Sequence, residues 1–311
     1  MRDAFGSALV RLGEADPSFL VLDADNAPAT RTLAFAQRFP DRFFNVGCAE
    51  QNMVGIAAGV ALTHRPVVAA TFAIFLTGRA YEQIRNTIGI GQLPVTLVGT
   101  HAGITVGHDG ASHFCTEDIA LMRSIPGMQV LVPSCDHQVE PLLVHAMRSG
   151  CPAYLRISRH GAEAFGPRYA VSAGGAALLR CGDDVTMIAC GLAVGRALEA
   201  ASLLAAQGIE AEVIDAYSVK PLAADMIIRS AGRTRAVVVA EEHGASGGLG
   251  EAVAALLAPR SHTPVVLMAL PDAFASSGAP ADMLDRYGLS TTEIASAAAR
   301  ALGRADLTGP G

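Results

Sequence analysis

The chain has 311 residues, 51% of them hydrophobic and 17% charged, which is enough to bury the cores of one large or two ordinary domains. Its formal net charge of −6 favours neither nucleic acid nor an anionic membrane as a partner. The first residues form no apolar signal segment, and no apolar run is long enough to cross a bilayer. The six cysteines form no C-x-x-C pair, so we expect reduced, mostly buried thiols in a cytoplasmic protein.

Short apolar segments alternate with helical segments in the first half of the chain. The sequence predicts strands at 19–23, 43–46, 66–72, 94–99, 128–132 and 153–157, the last of them closing the sheet. It predicts helices at 4–12, 32–39, 50 onward, 78–90, 117 onward and 138–147, and a loop at 24–30. Strands that alternate with helices of this length predict a parallel, doubly wound α/β structure.

A second αβ unit follows a segment, 158–175, that has the scattered Gly and Pro of a linker. Its predicted strands are 185–191, 210–214, 236–240 and 264–269, and its predicted helices include 196–207 and 291–302. We therefore predict two doubly wound domains, residues 1–165 and 166–311. The Gly-rich stretch 244–250 lacks the G-x-G-x-x-G spacing, which disfavours a nicotinamide-dependent dehydrogenase.

Polar and aromatic residues follow the predicted strands of the first domain. They are Asp23, Asp25, Glu50, Phe72, Phe75, the loop from His101 to His113, Ser158 and Arg159. Ligands bind at the carboxyl ends of strands in such sheets, so this edge is the predicted site.

Glu50 is the only acidic residue between Asp41 and Glu82, and it begins a helix of very small residues. One interpretation is a first-turn carboxylate that the helix dipole stabilises. The other is a functional acid, because a helix of small residues lets a ligand approach closely. Position alone favours the first interpretation.

Several spaced motifs resemble the transketolase family. The runs FFNVGCAEQN at 43–52 and TFAIFLTGRAYEQIR at 71–85, with His101 and GHDGASH at 107–113, are similar to its pyrimidine-binding domain. The runs VVVAEEH at 237–243 and GGLG at 247–250 are similar to its C-terminal domain. Full-length members begin with a domain that grips the cofactor through Gly-Asp-Gly, and this chain has no Gly-Asp-Gly. The chain therefore resembles the C-terminal subunit of a split transketolase.

The resemblance implies a heteromeric transferase that depends on thiamine diphosphate. A two-carbon ketol unit would pass from a ketose or ketose phosphate to an aldehyde. The diphosphate and Mg²⁺, or another divalent metal, would be held mainly by an N-terminal partner subunit, with no metal ligand expected here. Two of these chains and two partners would form a heterotetramer, in which the C-terminal domain serves assembly rather than chemistry.

The resemblance also assigns roles on the cofactor side of the site. Glu50 would bond the ring nitrogen of the aminopyrimidine, which makes it catalytic. Phe75 and Phe72 would form the aromatic wall of the pyrimidine, although Phe72 fits plain core packing equally well. His113 would lie near the cofactor and the substrate carbonyl, as a second catalytic group.

On the substrate side, the resemblance assigns His101 to the anionic end of the sugar and Asp109 to a hydroxyl. Arg159 and Arg2 would bind a phosphate, for which a guanidinium is suited, but a surface cation is the alternative for each. A zinc site built from the His and Asp residues of this loop fits no known spacing. Many transketolases have a phosphate-binding Ser where this chain has Ala29, so the phosphate site is altered.

Three alternatives to ketol transfer remain open. The first is a carboligase similar to 1-deoxy-xylulose-phosphate synthase, and the second is the β subunit of a 2-oxo-acid dehydrogenase. The His101, Asp109 and His113 set favours a sugar over an acyl substrate. The third is a non-catalytic assembly subunit, which the presence of Glu50, Phe75 and His113 disfavours.

Overall fold

The computed structural model describes residues 1–165 and 169–304, which form two α/β units. The first contains α1 (Arg2–Ala15), β1 (Leu20–Asp23), α2 (Ala27–Thr30), α3 (Leu33–Arg38), β2 (Phe43–Asn45), α4 (Glu50–Leu62), β3 (Val67–Phe72), α5 (Tyr81–Gln83), β4 (Val95–Thr100), α6 (Asp118–Ser124), β5 (Gln129–Leu131), α7 (Asp136–Arg148) and β6 (Ala153–Arg156). The second contains β7 (Ala177–Arg180), β8 (Val185–Ala189), α8 (Ala193–Ala205), β9 (Ala211–Asp215), β10 (Ser218–Lys220), α9 (Ala224–Arg233), β11 (Val237–Gly244), α10 (Leu249–Leu257), β12 (Val265–Leu270), α11 (Pro280–Arg286) and α12 (Thr291–Ala301). None of the helices within these ranges has the length and apolarity needed to cross a membrane.

Two mostly parallel sheets confirm the predicted α/β class. The first has the strand order β10-β5-β6-β4-β3-β1-β2, and the second has the order β12-β11-β8-β9-β7. The prediction that the strand at 153–157 closes the first sheet is wrong, because β6 lies between β5 and β4. The edge is instead β10, which comes from the second half of the chain and pairs antiparallel with β5. The two units are therefore joined through a shared sheet.

The predicted boundary near residue 165 falls between β6, the last strand that the first half contributes to its sheet, and β7 of the second sheet. Residues 166–168, at the start of the predicted second domain, lie outside the described residues, as does 305–311 at its end. The boundary itself stays a prediction.

The predicted loop at 24–30 contains a short helix instead, α2. The buried carboxylate of Asp23 organises it by accepting hydrogen bonds from the Asn26 amide at 2.6 Å and from the hydroxyls of Thr30 and Thr32 at 2.8 Å each. Burial raises the pKa of Asp23, and these three donors oppose that rise. Asp23 is thus engaged by the fold and is not directed at a ligand.

The helical segment after β3 begins earlier than predicted and is not a regular α-helix. Residues 75–79 and 84–89 adopt π-helical turns on either side of α5. A π turn accommodates an extra residue and re-aims the side chains around it. Phe75 is the first residue of the first π turn, and its ring stacks on that of Phe72, the last residue of β3.

A buried arginine, Arg156, forms an ion pair within the first unit and also bonds to the second unit. The Arg156 guanidinium, 2% exposed, donates from Nε to Asp118 Oδ2 at 2.8 Å and from Nη2 to the main-chain oxygen of Glu242 at 2.9 Å. The Tyr154 hydroxyl donates to the same Asp118 oxygen at 2.7 Å. Removing the cation would leave the fully buried Asp118 without its counter-charge.

We expect Arg156→Met to lower the free energy of unfolding by about 3–5 kcal/mol, because one charge of a buried pair is left unpaired. The matched control is Arg235→Met, since Arg235 pairs with Asp184 at 2.8 Å but is 56% exposed. That variant should cost about 1 kcal/mol or less. Urea unfolding of both variants checks the prediction, and equal losses would contradict it.

Candidate active site

The predicted site residues gather at the carboxyl edge of the first sheet. Phe72 is the last residue of β3, His101 follows β4 and Arg159 follows β6 by three residues. Glu50 begins α4, after β2. Parallel strands bring these separate chain segments to one edge.

The Glu50 carboxylate is 2% exposed and accepts a hydrogen bond from Arg79 Nη1 at 2.6 Å. Within the described ranges this is the only hydrogen bond of the Glu50 side chain, so it does not cap the backbone of its own helix. The Arg79 guanidinium also lies over the Phe75 ring, 4.8 Å from its centre. Arg79 connects the acid to the aromatic residues. The sequence motif at 71–85 contained it, but nothing there indicated its contact with Glu50.

Four rings form one connected aromatic group. Phe72 and Phe75 are stacked, with their centres 5.7 Å apart and their planes at 6°. The His101 ring stacks on Phe72 at 3.8 Å, and His113 meets Phe75 edge-on at 5.4 Å. The cofactor-side and substrate-side residues assigned by resemblance are therefore in contact with each other.

Several of the guanidinium donors that would bind an anion are already bonded to the protein. Arg2 donates from Nε to the main-chain oxygen of Arg159 at 2.9 Å and from Nη1 to that of Ala29 at 2.8 Å. Arg159 Nη1 donates to the Val106 oxygen at 2.9 Å and to Asp109 Oδ2 at 3.1 Å. Arg2 thus supports the backbone around the site, whereas Arg159 is shared between the loop and Asp109.

His101 has a left-handed backbone (φ 57°) and a side chain that is only 2% exposed. Its Nε2 lies 3.2 Å from Arg2 Nη1, and its Nδ1 lies 2.9 Å from the Thr100 hydroxyl. Burial, followed by the charges of Arg2 and Arg159, lowers the pKa of His101 to about 3. His101 is therefore neutral at pH 7, and its Nε2 accepts from Arg2 while Nδ1 donates to Thr100.

The geometry brings all eight predicted site residues into one connected group. Contacts run from Glu50 through Arg79 to the aromatic rings, and from His101 through Arg2 and Arg159 to Asp109. No three His, Cys, Asp or Glu side chains come together as a metal site in the described part of the chain. The zinc interpretation of the 101–113 loop thus finds no support there.

Comparison with known proteins assigns the chain to a protein family. The pyrimidine-binding domain of transketolase matches residues 1–163, and the C-terminal domain of transketolase matches residues 174–294. The chain belongs to the transketolase family. This confirms the family resemblance, and membership implies dependence on thiamine diphosphate.

Transketolase relatives of similar length cover almost the whole chain. A solved structure described as "Split gene transketolase, inactive beta4 tetramer" is 44% identical, superposes with a TM-score of 0.90, and is aligned over 97% of this chain and 98% of its own. A Methanocaldococcus jannaschii protein named "Putative transketolase C-terminal section" is 40% identical over 95% of this chain and 94% of its own length. The 6-deoxy-6-sulfo-D-fructose transketolase subunit SqwH of Clostridium sp. is 36% identical over 96% and 93%. This chain is therefore a split transketolase-family subunit.

We expect stability to depend on His101 between pH 6.5 and 3. In that window the unfolded chain binds a proton at its ordinary pKa of 6.5, while the folded chain does not until about 3. The free energy of unfolding is therefore independent of His101 protonation above pH 6.5. It decreases as the pH falls through this window, by up to about 1.4 kcal/mol per pH unit.

His101→Asn, which tolerates the left-handed backbone, should reduce this pH dependence. Urea unfolding from pH 7.5 to 4.5 measures it. His262→Asn is the control, because His262 is exposed. An unchanged slope in His101→Asn would contradict the prediction.

Proposed function

We propose that this chain is the C-terminal subunit of a thiamine-diphosphate-dependent transketolase. It transfers a two-carbon ketol unit from a ketose or ketose phosphate to an aldehyde acceptor. It is active only with an N-terminal subunit that holds the diphosphate and Mg²⁺ or another divalent metal, in a heterotetramer. The observation that carries the proposal is the buried Glu50 carboxylate, connected through Arg79 to the stacked Phe75 and Phe72 rings, on a chain that has no Gly-Asp-Gly.

The residues on the cofactor side fit an aminopyrimidine. Glu50 holds a buried carboxylate with a single hydrogen-bond partner among the described residues, which leaves acceptor capacity for a ring nitrogen. Phe75 supplies an aromatic face, and a side chain at Gly47 would meet nothing within 4 Å, so the approach to α4 is open. When bound, thiamine diphosphate supplies the carbon nucleophile that carries the ketol unit. Glu50 holds and exchanges a proton at the pyrimidine nitrogen.

The residues on the substrate side fit a sugar. Asp109 accepts a hydrogen bond from a sugar hydroxyl, and His113 lies at the reacting carbonyl. Arg159 binds the anionic end of the substrate while remaining close to Asp109, 3.1 Å away. Both ring nitrogens of neutral His101 are bonded within the protein, so His101 contributes no charge, and Ala29 contributes no hydroxyl. The anion is thus held by fewer groups than a complete phosphate site would offer.

The partner requirement is tested by co-expressing this chain with a Gly-Asp-Gly-containing chain of the same genome. We expect ketol transfer only by the pair, with thiamine diphosphate and Mg²⁺ present. Glu50→Gln should lower the rate of the pair by about 100-fold or more, because a proton-transfer group is lost while the shape is kept. It should also weaken thiamine diphosphate binding in calorimetry.

Glu14→Gln is the matched control for this experiment, since Glu14 is an exposed acid on α1. An assembled pair with no ketol transfer would contradict the proposal and favour the carboligase or assembly-subunit interpretation.

Arg159→Met tests how the substrate anion is held. We expect KM for xylulose 5-phosphate to rise about tenfold or more, because a charge-assisted contact is lost, with less than about threefold change for an unphosphorylated ketose. The panel should include a 6-sulfo ketose, because one relative is named for such a sugar and a sulfonate is also a tetrahedral anion. Arg11→Met, an exposed arginine on α1, is the control. Equal effects on charged and uncharged ketoses would show that Arg159 acts on the loop and not on the anion.

A further inference from the structure

The end of β11, in the second unit, reaches the loop that carries Asp109 and His113. The Glu242 side chain is 2% exposed, and its Oε1 accepts hydrogen bonds from the backbone amides of Ile104 at 2.8 Å and Thr105 at 2.7 Å. Burial raises the pKa of the Glu242 carboxyl, whereas the Arg156 cation and the hydrogen bonds from Thr105 and Ile104 oppose that rise.

The loop backbone fits closely around this carboxylate. Gly103 has φ +81°, and a side-chain carbon there would lie 2.2 Å from Glu242 Oε1. Only a glycine leaves room for the acid and adopts this backbone without strain.

The same strand also holds the far end of the loop. Gly103 and Cys115 exchange two backbone hydrogen bonds, at 2.8 and 3.3 Å, which close residues 103–115 into a ring. Beyond this closure the Gly244 amide donates to the Thr116 oxygen at 2.8 Å, and the Ala120 amide donates to His243 Nε2 at 3.3 Å. β11 thus bonds to residues 104 and 105 inside the ring and to residues 116 and 120 after it.

Apolar packing against the second unit supports the body of the loop. Ile104, Val106 and Phe114 lie in one buried cluster with residues of β12 and α11 and their surroundings, namely Leu270, Ala275, Met283, Leu284 and Leu289. The loop that holds two predicted site residues therefore rests on the second unit and not only on its own sheet.

We propose that Glu242 is a positioning residue for Asp109 and His113, so that the second unit sets the geometry of the substrate side of the site. The effect of Glu242 on catalysis rests on the proposed function. Its effect on the order of the loop rests only on the contacts described above. Glu242 touches neither substrate nor cofactor. It acts through the backbone at 103–105. The second unit then does more than the assembly role that the sequence predicted for it.

Glu241 offers a matched control on the same strand. It is 1% exposed and accepts hydrogen bonds from the amides of Leu249 and Gly250 at 2.7 Å each, at the start of α10. Glu241 and Glu242 are therefore neighbouring buried acids that each accept two backbone amides. Only Glu242 bonds to the 101–116 loop.

The first test is residue-resolved hydrogen exchange on the isolated chain. Glu242→Met fills a similar volume but accepts no hydrogen bond, whereas Glu242→Gln keeps an acceptor oxygen and should rescue the loop. The informative amides are Gly107, His113 and Phe114, because their acceptors are Ile104 and Gly110 and not Glu242. We expect them to exchange about tenfold faster or more in Glu242→Met, and within about twofold of wild type in Glu242→Gln and Glu241→Met.

Two outcomes would overturn the positioning role. Faster exchange at Ile104 and Thr105 alone would show that the carboxylate holds only its direct partners. Equal acceleration in Glu241→Met would show a general loss of stability. If Glu242→Met does not fold, Glu242→Ser replaces it in the comparison with Glu242→Gln. A serine side chain is too short to reach the loop amides.

The second test measures kinetics in the complex with the N-terminal partner. Glu242→Met should lower kcat for ketol transfer by about tenfold or more, while the KM for thiamine diphosphate changes less than about twofold and Glu242→Gln restores most of kcat. Unchanged kcat with accelerated loop exchange would overturn the catalytic part. A wild-type pair that transfers no ketol would contradict the proposed function, and the exchange result would still decide whether Glu242 orders the loop.

Discussion

The buried Arg156 guanidinium is the contact on which the arrangement of the molecule depends. It bonds the Asp118 carboxylate on α6 and the main-chain oxygen of Glu242 at the end of β11. A buried cation must satisfy its donors, because water cannot reach them. The residue therefore fixes the relative position of the first sheet, α6 and the second unit. The 101–116 loop begins after β4 of the first sheet, bonds to β11 of the second unit and ends shortly before α6.

Charge is distributed unevenly over the site. At one end the Glu50 carboxylate faces a half-exposed arginine, Arg79. At the other end two guanidinium groups meet one carboxylate, Asp109, and a neutral imidazole, His101. Burial is the main cause of the low pKa of His101, and the nearby cations lower it further. Arg2 uses Nε and Nη1 on two main-chain oxygens and on His101, whereas Arg159 bonds only through Nη1 within the described residues.

The family, the fold class and the identity of the candidate residues were all accessible from the sequence. The periodicity of apolar segments predicted the alternating strands and helices, and spaced motifs predicted the family that the comparisons then established. The exceptions have local causes. The Asp23 carboxylate bonds three donors around α2, where a loop was predicted, and the helical segment after β3 begins at residue 73 and contains π-helical turns. Neither hydrogen-bond partners nor π turns leave a signal in hydrophobic periodicity.

The sequence by itself determined which residues are available for chemistry, because motif spacing and strand ends are properties of a local segment. Tertiary structure alone decided which partners those residues have. The contact of Arg79 with Glu50 spans 29 positions of the chain, and that of Glu242 with Ile104 spans 138. β10 is a further long-range pairing, since this strand of the second unit forms the edge of the first unit's sheet beside β5. Pairings at such separations depend on the packing of whole elements, which no local pattern encodes.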